Sequence, residues 1–181
     1  MVEGGGRQPD PGDGVSAAGP LDARQETNYV GALYGSLLAA SVVVGTAPLK
    51  GAPALGELVG LLVTTGVVFW LAHVYARLVG ERVATGEPVT WPEVERVARH
   101  EWPLVEAAIA PCVAAAVITL LGGSDVAAAW GALITAVAGQ VGWAVVATVR
   151  SGASTTVVLV SAVANLLLGL VLVVLKAALT H

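Results

Sequence analysis

Five long stretches without a formal charge dominate this chain: Asn28–Leu49, Leu58–Ala76, Ala107–Ser124, Val126–Val149 and Ser151–Leu175, of 22, 19, 18, 24 and 25 residues. About 20 residues of apolar helix cross the hydrocarbon of a bilayer. A surface helix of a soluble protein keeps one polar face, and these runs have none. Only 12% of the 181 residues are charged and the mean hydropathy is +0.79. A soluble domain carries roughly a quarter charged residues. The bilayer interior offers no water to backbone groups, so a run that crosses it must be helical. The sequence therefore predicts an all-α membrane protein. Its form is a five-transmembrane-helix bundle, with crossings over 28–49, 57–79, 103–123, 126–149 and 152–176.

Ahead of this domain, residues 1–27 are polar and rich in Gly and Pro. They bury too little apolar surface to offset the entropy of ordering, which predicts a disordered cytoplasmic tail over 1–27 and one membrane domain over 28–181. The first apolar run follows acidic residues and lacks a cleavage site, so no signal peptide is expected. Five crossings put the termini on opposite sides. Arg7, Arg24, Arg77, Arg82, Arg96, Arg99 and Arg150 then share the side of the N-terminus, and only Lys50 and Lys176 fall on the other. Basic residues accumulate on the cytoplasmic side. The expected setting is the plasma membrane, with the N-terminus cytoplasmic and the C-terminus outside.

Most of the charge lies in one stretch, Phe69–Glu106, which holds six of the thirteen acidic and four of the nine basic residues. Within it, Thr90 and Glu93 have the spacing of a capping box, and Pro92 suits a first helical turn. Trp91, Val94, Val97, Ala98 and Trp102 then fall on one helical face, and Glu93, Glu95, Arg96, Arg99 and His100 mostly on the other. This pattern predicts a short amphipathic interfacial helix between crossings two and three. Pro103 starts or kinks the third crossing, and Pro111 is a second kink site.

Lipid tails are as apolar as Leu, so helices associate through small residues and a few polar ones. Gly31-xxx-Gly35-xxx-Ala39 supplies such a stripe on the first crossing, and Gly131-xxx-Thr135-xxx-Gly139 on the fourth. Ser154, Ser161, Asn165 and Gly169 supply one on the fifth. These faces predict a homo-oligomer or a membrane-protein partner, besides the lipid bilayer itself.

Four polar side chains are candidates for lining a solute path: Glu106, His73, Gln140 and Asn165. Ionisable residues inside a membrane are costly and mark functional sites. Glu106 lies three residues past Pro103, about 4–5 Å further in. His73 stands at similar depth on the preceding crossing, where it either anchors at the interface or lines a path with Glu106. Gln140 and Asn165 both fall near the midplane, about 15 Å from their nearest basic flanks. They either bond each other across two helices or face a solute. Glu101 and His100 read as solvated groups at the rim.

The rest of the inventory excludes more than it suggests. A net charge of -4 offers no basic footprint for nucleic acid. A lone Cys112 gives neither a disulfide nor a cysteine metal cluster. No nucleophile–base constellation, His-Glu-x-x-His motif or phosphate loop is present, so the sequence argues for neither enzyme nor cofactor, and any metal is unknown.

The segments YGSLLAASVVVG (34–45), FWLAHVYARLVGER (69–82) and HEWPLVEAAIAP (100–111) resemble small integral membrane proteins of actinobacteria that carry no assigned function. In its five crossings, cytoplasmic N-terminus and Glu-bearing segment between helices two and three, the chain is also similar to the vacuolar iron transporter family. In this chain that segment carries Glu81, Glu87, Glu93, Glu95 and Glu101. The chain departs from that family in lacking the Asp-Gly of the first helix, in having no path-lining methionine and in its shorter loop. Two expectations follow: a channel or carrier for a small ion or solute, or a non-catalytic membrane subunit that docks a partner through its cytoplasmic loop.

Overall fold

A computed structural model describes residues 20–46 and 52–179, with side chains of the first helix from residue 29 onward. The described residues are all-helical: α1 (Pro20–Gly45), α2 (Leu55–Thr85), α3 (Trp91–Glu101), α4 (Pro103–Glu106), α5 (Ile109–Leu120), α6 (Asp125–Arg150) and α7 (Thr155–Leu179). Four helical stretches are long and apolar enough to cross a membrane: Leu55–Thr85, Trp91–Leu120, Asp125–Arg150 and Thr155–Leu179. The described apolar part of α1, Tyr29–Gly45, is shorter. Residues 1–19 of the expected tail lie outside the described residues. Helix α1 begins at Pro20, ahead of the expected boundary at residue 28. Proline's fixed φ suits a first helical turn, and the Ala-Arg-Gln-Glu that follows favours helix.

Helix α6 is the centre of the bundle and packs against α1, α5 and α7. Its inward face is mostly alanine: Ala128, Ala129, Ala132, Ala136 and Ala144 are buried, together with Leu133. Side chains this small let neighbouring backbones approach closely, the route to packing where lipid supplies no hydrophobic drive. Helix α7 lies at the edge, with only Gly169 and Lys176 buried.

The ends of the helices follow local chemistry. Gly86 takes φ 71° after α2, and its N–H donates to Arg82 O at 2.8 Å. Only a residue without Cβ adopts this left-handed cap without cost. At the head of α3 the expected capping box between Thr90 and Glu93 is present, and the Thr90 N–H donates to Glu93 Oε2 at 3.4 Å. The helix then turns back along the end of α2. Trp70 Nε1 donates to Ala98 O at 2.8 Å, Trp102 meets Trp70 edge-on at 5.5 Å, and Arg96 pairs with Glu81 at 2.9 Å. Val97 is fully buried on this face, whereas Trp91 at the tip is 78% exposed.

Candidate functional site

Two prolines shape the site. Proline has no N–H, and its ring crowds the carbonyl four residues back. Pro103 therefore interrupts the helix at Trp102, and Pro111 interrupts it at Ala107 and Ala108. Between the breaks, α4 is a single turn held by Glu106 N–H to Trp102 O at 3.2 Å and Ala107 N–H to Pro103 O at 3.1 Å. That turn presses on α1. Leu104 is buried, and a Cβ placed on Gly35 would stand 2.5 Å from Leu104 O. With Leu104 turned inward, Glu106 faces a groove between α1, α4, α5 and α6.

The groove encloses about 290 Å³. Its walls are Ala32, Ala107, Ala110, Ala136, Gly139 and the two prolines, with Tyr29 and Trp143 at one end and Ser36 and Thr135 on the floor. Both hydroxyl protons are committed within their own helices, Ser36 to Ala32 O and Thr135 to Gly131 O, each at 2.8 Å. The Tyr29 and Trp143 rings lie 6.1 Å apart. Arg150 Nη1 donates to Tyr29 Oη at 2.6 Å and its guanidinium sits 5.8 Å from the ring, which fixes the phenol. The Glu106 side chain has no hydrogen bond or ion pair among the described residues and is exposed. Among the described residues it is the one charged side chain lining the groove.

The four sequence candidates are not gathered in one place. Gln140 is fully buried and donates Nε2–H to Asn165 Oδ1 at 3.3 Å, while Asn165 Nδ2 donates to Ser161 O at 2.9 Å. This joins α6 to α7 behind the groove, and neither residue lines it. Gln140 Oε1 is buried without a partner. His73 bonds Phe69 O through Nδ1 at 2.9 Å and meets the Tyr34 ring at a tilt, with centroids 5.4 Å apart, and no hydrogen bond joins it to Glu106.

Two polar residues have roles the sequence did not suggest. Glu101, read as a solvated rim group, is 6% exposed and pairs with Arg77 Nε at 2.8 Å. The turn of α3 onto α2 buries it, and only the α2 arginine offsets that burial. Lys176, read as a flank of the last crossing, is also buried. Its Nζ donates to Val43 O at 3.3 Å and lies 5.7 Å from the Trp130 ring. The last carbonyls of a helix lack intrahelical donors, so the end of α1 is an apt seat for an ammonium. Only the packing of α1 against α7 could reveal it.

Among the described residues no three His, Cys, Asp or Glu side chains gather into a metal site. Glu81, Glu93, Glu95 and Glu101 of the glutamate-bearing segment are each paired with an arginine. Comparison with protein-family models, with curated proteins and with solved structures finds no match to this chain, so its function has to be read from the geometry of the Glu106 groove.

Proposed function

We propose that the chain is a five-crossing protein of the plasma membrane, N-terminus cytoplasmic and C-terminus outside, that carries a small ion or solute through the groove at Glu106. The observation behind this reading is a carboxylate, exposed and unpaired among the described residues, that lines a groove of about 290 Å³ between apolar helices. An ionisable side chain on a membrane-crossing segment is costly and is a candidate for function. Helix α2 has 31 residues, a length of about 46 Å at the usual rise, against about 30 Å of hydrocarbon. Its last turns, together with α3, extend beyond the acyl region at the cytoplasmic surface on this reading. There Trp70 and Trp102 sit at headgroup depth.

Flux measurements on proteoliposomes test the proposal. Glu106→Gln is expected to abolish proton- or cation-coupled flux while the protein still inserts and purifies normally. Unchanged flux would remove the transport role. The alternative, a non-catalytic subunit that docks a partner through its cytoplasmic loop, is favoured by one observation. Val83 and Trp91, at the tip of the α2–α3 hairpin, are 81% and 78% exposed amid charged residues. On that reading Val83→Ser with Trp91→Ser weakens assembly, and Glu106→Gln has no effect.

A further inference from the structure

The geometry points to a monovalent organic cation with an apolar body as the occupant of the Glu106 groove. This inference rests on reading the groove as the solute's site and gives that site a substrate class.

Each alternative class fails on what the walls supply. An anion would face the Glu106 carboxylate, and the nearby Arg150 guanidinium, itself not a lining residue, is held on Tyr29 at the end of the groove. A metal ion needs several oxygen or nitrogen ligands, and the groove offers one carboxylate, with no three acidic, His or Cys side chains gathered nearby among the described residues. A sugar-like solute needs donors and acceptors spread around it; the Ser36 and Thr135 hydroxyl protons are already given to Ala32 O and Gly131 O, and the remaining donors, Tyr29 O–H and Trp143 Nε1–H, lie together at one end. What remains is one negative charge, the Trp143 ring and small apolar walls, since the Tyr29 ring already carries the Arg150 guanidinium. A cation with few N–H groups matches each of these. Its charge meets Glu106, its apolar part fills the space over Ala107, Ala110 and Ala136, and its positive edge lies against the Trp143 ring. The volume of about 290 Å³ falls at the lower edge of the range for small-molecule sites, about 300–1,000 Å³.

Benzyltrimethylammonium is a suitable probe, and neopentylbenzene is its neutral isostere. Equilibrium dialysis of labelled benzyltrimethylammonium against the purified full chain in detergent is expected to show saturable binding that neopentylbenzene does not displace. Glu106→Gln should weaken it at least about tenfold, as expected for the loss of one charge of a close pair. Trp143→Ala should weaken it roughly fivefold, as expected for a lost cation–π contact. Ala110→Trp fills the groove from α5 and leaves Glu106 in place; it should abolish binding too. Absence of saturable binding to the wild type, or full binding by Glu106→Gln, overturns the assignment. Uptake into proteoliposomes separates it from the transport reading. Glu106-dependent proton or potassium flux without benzyltrimethylammonium binding sinks the organic cation and keeps transport. Glu106-dependent binding without uptake keeps the site and sinks transport.

Discussion

Replacing Gly35 by alanine is the sharpest probe of how α1 meets the proline-broken segment. An added Cβ would stand 2.5 Å from Leu104 O, 3.1 Å from Leu104 Cα and 2.8 Å from Ala107 Cβ. The first two are backbone atoms of a turn fixed between Pro103 and Pro111, and no rotamer change relieves them. Either α4 moves off α1 or α1 shifts as a rod. Overpacking of this kind costs about 1–3 kcal/mol. For a chain of this size each kcal/mol lowers Tm by about 2–4 °C, so the expected fall is about 2–12 °C. Gly31→Ala, one turn earlier on the same stripe, meets only ordinary contacts at 3.6 and 3.7 Å. Gly60→Ala meets nothing within 4 Å and relieves a helical glycine, a gain of up to about 1 kcal/mol. Thermal unfolding in detergent, followed by circular dichroism at the helix band, ranks the three. If Gly35→Ala melts as high as Gly60→Ala, the close approach of α1 to α4 is wrong, and the wall of the groove with it.

Other outcomes follow from the same contacts. Arg77→Ala strips Glu101 of its partner while the carboxylate stays buried; because Arg77 is half exposed, the cost is about 1–2 kcal/mol, and adding Glu101→Gln should recover most of it on the same melt. Asn165→Leu leaves the buried Gln140 amide wholly unpaired and should cost about 1–3 kcal/mol, whereas Gln140→Leu with Asn165→Leu should lie closer to wild type. A double variant less stable than Asn165→Leu alone would show that the Gln140–Asn165 bond is not what joins α6 to α7. Reporter fusions at the C-terminus should be active outside the cell and silent within it, and the reverse result would invert the proposed topology.

Much of the architecture was legible because it depends on local properties. Runs without charge can only be helical in lipid, and the helix-breaking of Pro103 and Pro111 acts on carbonyls four residues away. The Thr90–Glu93 spacing likewise acts within one turn. The depth of Gln140 and Asn165 could be counted from helix rise alone, and the structure brings the two together. The lengths of the elements were less legible. Helix α1 starts at Pro20 because a polar but helix-favouring segment precedes the apolar run, and hydropathy is blind to it.

What one strand of sequence determined is therefore the all-helical, apolar character of the chain, the breaks at Pro103 and Pro111 and the few positions where polarity interrupts hydrocarbon. The tertiary structure decided the partners. It set Gly35 rather than Gly31 against Leu104, buried Glu101 on Arg77, seated Lys176 at the end of α1 and left Glu106 alone in a groove. The reason is rotational. Helices that are apolar all round carry no polar stripe to say which side faces inward, so the turn of each helix about its own axis is fixed only when small side chains find a neighbour they fit.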